Sequence, residues 1–273
     1  MLSAFPRSSN LLNAAADTRR VGLTLVPALA LMLGLILATF AATPAAHAQS
    51  TPIRTVVELF TSQGCNSCPP ADRLLQTYAK RPDVLALTLP VDYWDYLGWK
   101  DTFAKRQFTQ RQYAYARKRG DNRVYTPQVV INGRDHEVGS YRRRIDARID
   151  RHHARYANRL VPMSMETVGK KLVVKVGDDA NGRKGRSGTI WLAVMKRKAV
   201  VPIRSGENGG RTLAYYNVVT SLKRVGTWNG TAATFTVAQP SNMVAGRDDC
   251  AVLLQSGTAG PIVGAAKLPG NAS

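Results

Sequence analysis

The chain has 273 residues, of which 38 are Lys or Arg and 18 are Asp or Glu, giving a formal net charge of +20. Such a balance suits either acidic partners or a solvated basic surface. No stretch interleaves basic with aromatic residues, so no nucleic-acid partner is expected. Three cysteines, Cys65, Cys68 and Cys250, are too few for a disulfide-stapled scaffold, so stability has to come from burial.

Residues 1–48 read as a signal peptide. A basic start (Arg7, Arg19, Arg20) precedes an apolar run from Val21 to Ala42, and Ala46-His47-Ala48 is a small-x-small cleavage pattern. An uncleaved anchor is the rival reading, because the run approaches the roughly 20 residues that span a bilayer. Thr18-Arg19-Arg20 also permits twin-arginine export. Cleavage near Ala48 leaves 225 residues with a net charge of +18 and no membrane span, placing the mature chain in the periplasm or outside the cell. That length suits one large or two small domains.

The β-branched stretch Arg54 to Phe60 predicts a strand, and Ala71 to Lys80, with Leu74, Leu75 and Tyr78 on one face, predicts a helix. Val84 to Val91 is apolar throughout, as a parallel strand covered on both sides would be. The cysteines therefore sit at the strand-to-helix turn of a β-α-β unit. An aromatic loop follows, then a helix over Asp101 to Arg119, a strand at Gln128 to Ile131, and a hairpin turn at Asn132-Gly133. A last helix over Ser140 to Asn158 carries Arg142, Arg143, Arg144, Arg148 and Arg151 on its outer face, read as solvated, with an anion site as the lesser alternative. Beyond Val161-Pro162 the pattern changes to short strands separated by Gly, Asn and Pro turns, which predicts a β-sandwich or barrel. The expected organisation is thus a thioredoxin-like α/β domain over residues 49–159, followed by an all-β sandwich-like domain over 160–273.

The chemistry-bearing motif is Cys65-Asn66-Ser67-Cys68. A dithiol at a helix start is exposed to unpaired backbone N–H groups and the positive end of the helix dipole, both of which stabilise a thiolate. This order makes Cys65 the attacking thiol and Cys68 the resolving one, joined as a disulfide in an oxidising compartment. Zinc would need about four ligands, and the other candidates, His136, His152, His153 and Cys250, include no second close pair. No metal and no cofactor is expected. Thr126-Pro127, just ahead of a strand, stands where a cis-proline would lie against the dithiol and present the backbone of Thr126 to a substrate. Asp92, Tyr93 and Trp94 follow a parallel strand and should emerge beside Cys65, as a substrate-binding wall or as a packed corner. Glu58, an acid in an apolar strand, either lies under Cys68 to take its proton or points to solvent. Pro69 and Pro70 remove two backbone donors, so the helix is expected to start at Cys68 and give Cys65 less help from the dipole. Cys250 reads as a buried free thiol, and Gly206 to Arg211 as a hairpin loop able to touch the first domain.

Glu58 to Asp72, Val91-Asp92-Tyr93-Trp94-Asp95, Val124 to Gln128 and Gly206 to Leu213 together resemble the bacterial secreted family called domain of unknown function 1223. The resemblance covers nearly the whole mature chain and implies a thioredoxin-like first domain and a β-rich second one. It brings no activity with it. Three functional expectations stand: a thiol-disulfide oxidoreductase acting on a partner protein, a binding module whose disulfide is only structural, or a basic envelope protein whose charge matters more than its thiols.

Overall fold

The computed structural model describes residues 51–179, 186–241, 243–244 and 246–268; the expected signal peptide lies outside them. Strand β1, Thr55–Thr61, and strand β2, Val84–Pro90, are buried at every position and pair in parallel, with helix α1, Pro69–Ala79, crossing between them. Burial on both faces is why neither strand alternates polar and apolar residues. β1 also pairs antiparallel with β3, Gln128–Ile131, which turns through Asn132 and Gly133 (φ 49° and 62°) into the edge strand β4, Asp135–Val138.

Helix α2, Arg106–Arg119, begins later than the sequence suggested. The carboxylate of Asp101 takes the N–H groups of Phe103 and Ala104, closing a local turn that delays the helix to Arg106. Helix α3, Arg142–Tyr156, buries Ile145, Ile149 and His152 and turns its arginines outward.

The remaining strands are β5 (Met163–Val168), β6 (Lys171–Val176), β7 (Gly188–Pro202), β8 (Thr212–Trp228), β9 (Ala233–Ala238), β10 (Asp248–Ser256) and β11 (Ile262–Lys267). Four of them continue the first sheet, whose order is β11-β10-β7-β8-β2-β1-β3-β4, while β5, β6 and β9 form a separate three-stranded sheet. The class is therefore mixed α/β with one large and one small sheet. Alternate residues of β1 divide its two faces: Val57 and Leu59 pack with α1 and α3, and Val56 and Phe60 pack with Phe108 and Tyr115 of α2. The small sheet lies over β7, β10 and β11 and seals a core that includes Trp228, Leu192 and the free thiol Cys250. Among the described residues no helix is long and apolar enough to cross a membrane.

Two polar junctions join the halves of the large sheet. Where β8 meets β2, Thr88 Oγ1 donates to the Tyr216 carbonyl at 2.6 Å and Asn217 Nδ2 to the Ala86 carbonyl at 2.9 Å. Deeper, Arg111 donates to Glu58 at 2.7 Å and to Gln255 of β10 at 3.0 Å. Tyr115 closes this second network by donating to the other Glu58 oxygen at 2.5 Å.

Candidate functional site

The site grows out of the turn between β1 and α1. Pro69 and Pro70 occupy the first helical positions, where missing N–H groups do little harm, and Cys68 is the N-cap. Its carbonyl accepts from the N–H groups of Ala71 and Asp72. Cys65 and Cys68 form a disulfide with Cα atoms 5.4 Å apart, and both residues are 0% exposed, whereas Asn66 and Ser67 between them face solvent. The helix start at Cys68 leaves Cys65 outside the first turn, as the two prolines imply.

Three walls surround this turn. The first is the loop after β2. Trp94 packs on Gly64, where an added Cβ would meet the Trp94 Cβ at 3.3 Å, and its indole N–H donates to Thr126 Oγ1 at 2.8 Å. Asp92 and Tyr93 hold that loop to α2: Asp92 accepts from Thr109 at 2.5 Å and Tyr93 donates to Gln112 at 3.2 Å. Of the three aromatic-loop residues singled out in the sequence, Trp94 reaches the dithiol turn and the other two anchor its loop. The second wall is Thr126-Pro127, a cis peptide bond. A Cβ on Gly139 would lie 3.0 Å from Ala71 Cβ and 3.1 Å from Pro127 Cβ, so only the width of a glycine separates Pro127 from the first turn of α1.

The third wall comes from the far end of the chain. The long β7–β8 hairpin carries Ser205 to Arg211 across to the dithiol turn. There Asn208, fully buried, donates through Nδ2 to the carbonyls of Gln63 and Cys65, each at 2.9 Å, while Arg211 fixes its side-chain oxygen at 2.7 Å. Glu207 accepts from the N–H of Asn66 at 3.1 Å. Gly206, at φ 74°, lets the loop close on Trp99, whose Cβ would be 3.1 Å from an added methyl group. The glycine-rich loop does contact the first half, and the contact falls on the dithiol turn itself.

Two buried acids lie at the same turn. Asp72 follows Cys68 by four residues on α1, a spacing that places both side chains on one helical face. Its Oδ1 accepts from Thr61 Oγ1 at 2.8 Å, and its Oδ2 is buried with no hydrogen-bond partner. Burial, together with the nearby Asp101 carboxylate, pushes the Asp72 carboxyl up to about 8. Burial likewise lifts Asp101 to about 6 even though it accepts the N–H of Gln63 at 2.8 Å. The hydroxyl of Tyr215, on β8, is buried without a partner, and its pKa is raised by desolvation and then by these two acids. Glu58 is placed elsewhere: it faces α2, with one oxygen held by Arg111 and the other by Tyr115.

The sequence reading passed over Asp72, Asn208, Glu207 and Tyr215. Helical spacing from Cys68 would have pointed to Asp72. No local pattern could have brought Asn208 to Cys65 across 143 positions. His136 sits between Asp121 at 3.0 Å and Tyr125 at 2.8 Å, and His152 between Asp135 at 3.1 Å and Asn132 at 3.2 Å, away from the dithiol. Among the described residues no group of three or more His, Cys, Asp or Glu side chains is placed to hold a metal ion.

The site thus defines a mixed α/β protein with a disulfide at a strand-to-helix turn, roofed by a loop from its own C-terminal half. The chain belongs to the family described as protein of unknown function (DUF1223), whose profile matches residues 56–255. It is similar to a protein from Agrobacterium tumefaciens solved by X-ray crystallography, with 37% identity over 82% of this chain and 97% of that one, at a TM-score of 0.70. A domain of the outer membrane lipoprotein Omp28 from Porphyromonas gingivalis aligns at 10% identity and a TM-score of 0.22, over 39% of this chain and 83% of that one, which is too distant to carry an argument. Among curated proteins nothing matches.

Proposed function

We propose that the chain is an exported, thioredoxin-like protein that exchanges its Cys65–Cys68 disulfide with thiols of a partner protein after the loop carrying Asn208 lifts. Export rests on the leader-like residues 1–48. The exchange reading rests on Asp72. A disulfide kept only to pin a turn gains nothing from a buried, half-satisfied carboxyl one helical turn away. Leaving such a group without a partner costs about 1–3 kcal/mol, and strongly shifted acids of this kind gather where protons are moved.

In the direction that reduces the chain, a partner thiolate attacks Cys65 Sγ and the Cys65–Cys68 bond breaks. The electron pair leaves on Cys68 Sγ, which takes the proton that Asp72 holds at neutral pH. A second partner thiolate then attacks the partner's own sulfur in the mixed disulfide and releases Cys65. The partner leaves as a disulfide, Cys65 leaves as a thiolate, and the two protons shed by the partner's thiols return through water to Cys65 and Asp72. Glu58, with both oxygens engaged, is not free to take this part. In this reading Trp94, Thr126 and Pro127 form the surface that receives the partner, and Asp92 and Tyr93 steady the Trp94 loop.

A second reading, a purely structural disulfide within a binding module, is favoured by one observation: both sulfurs are buried and the turn is clamped. Equilibration with glutathione or dithiothreitol buffers separates the two. Exchange predicts a reduction potential between about −270 and −120 mV, and a structural pin a value below about −300 mV.

A further inference from the structure

Away from the dithiol, the edge strand β4 forms the common wall of two adjoining cavities of about 370 and 570 Å³ that share His136 and Arg148. Six cationic side chains line them: Lys118 and Arg119 from α2, Arg123 beyond it, Arg134 at the β3–β4 turn, and Arg144 and Arg148 from α3. Three carboxylates offset part of this charge. Glu137 takes Arg148 at 3.1 Å, Asp121 takes Arg119 at 2.9 Å, and Asp135 takes His152 at 3.1 Å. Among the described residues Lys118, Arg123 and Arg134 have no carboxylate within ion-pair distance.

Arg134 is the telling member. Its guanidinium is half-buried and stacked 4.5 Å over the Tyr156 ring, and desolvation disfavours its charged form. Asp135, beyond ion-pair distance, favours the charge only in part against nearby Arg186 and Arg155, an imbalance that a bound anion would relieve. Arg119 adds a buried Nη1 that has no acceptor. The trench also has a fixed floor, since His136 is held on both sides by Asp121 and Tyr125.

We infer that this trench binds a small soluble oligoanion, a molecule with two or more closely spaced phosphate or carboxylate groups, through Arg134, Arg123 and Lys118. Planar guanidinium groups suit both kinds of anion. The inference is independent of the exchange chemistry, because the trench lies on the far side of β3 and β4 from α1's cysteine turn and uses none of its residues.

Titration calorimetry of the purified protein with sodium tripolyphosphate, and separately with citrate, tests it at about 0.15 M salt, where diffuse surface attraction is largely screened. The expected result is saturable one-to-one binding of at least one of the two. Arg134→Gln and, as an independent variant, Arg123→Gln should each weaken it about tenfold. Arg224→Gln, on the distant strand β8, and the double replacement Cys65→Ser/Cys68→Ser should leave it unchanged. Thermal unfolding of each variant confirms that it is folded. Absence of saturable binding to both anions, equal loss in Arg224→Gln and Arg134→Gln, or binding only to anionic lipid vesicles would overturn the inference.

Discussion

Asn208 donates one hydrogen bond to the carbonyl of Cys65, at 2.9 Å, and a second of the same length to that of Gln63. One buried side chain from the β7–β8 hairpin therefore fixes the backbone that carries the Cys65 sulfur. Asn208→Ala removes both donors: the buried Gln63 carbonyl is left without a partner, at about 1–3 kcal/mol, and the Cys65 carbonyl keeps only the Cys68 N–H at 3.2 Å. It should lower the unfolding midpoint and speed reduction of the Cys65–Cys68 bond by dithiothreitol about tenfold or more. An unchanged reduction rate would mean that the loop is no barrier.

Asp72 predicts an unusual pH profile. Its folded pKa, about 8, lies above the ordinary carboxyl value of 3.8. Below pH 4 both states hold the proton and this carboxyl leaves stability untouched. As pH rises from about 4 to 8 the unfolded chain gives up the proton and the folded one keeps it, so stability falls, then levels off. Asp72→Asn keeps an acceptor for Thr61 and removes that slope. Denaturant unfolding should find it more stable than wild type by about 2 kcal/mol or more at pH 8 and equal near pH 4, and slower in exchange at pH 7.

How much of this was legible in the sequence follows from how local each feature is. The β-α-β unit around the cysteines, the helix start forced by Pro69-Pro70, and the buried thiol Cys250 all depend on neighbours within a few residues, and the sequence shows them. Asn208 and Tyr215 reach the site only because β7 and β8 are long enough to carry their ends past the sheet. Glu58 was legible only as an acid in an apolar strand, open between a place under Cys68 and solvent, since its partners Arg111 and Tyr115 sit on a helix more than fifty residues on.

The Glu58–Arg111 pair ties the two halves of the sheet together. Arg111→Ala leaves a buried carboxylate without its counter-charge and should destabilise the chain by about 3–5 kcal/mol. The double replacement Glu58→Gln/Arg111→Met should recover most of that loss. A double-mutant cycle by denaturant unfolding measures the coupling, and additivity of the single effects would contradict the network.

Cys250 is buried against Met243, with its thiol pushed up to about 12 by burial and by Asp249 and Asp248. It should resist thiol reagents in the native protein at pH 8 and react on unfolding. Cys250→Ala should reduce stability by about 1 kcal/mol and leave exchange at Cys65 unaltered. Rapid native labelling would place the thiol outside the core.

The most direct test is covalent capture by a Cys68→Ser variant expressed with residues 1–48 in place. Exchange predicts discrete mixed disulfides through Cys65, reversed by reductant and absent from the Cys65→Ser/Cys68→Ser double variant. A folded Cys68→Ser protein that captures nothing, even when Asn208→Ala has opened the loop, would contradict exchange and leave the disulfide as a structural pin.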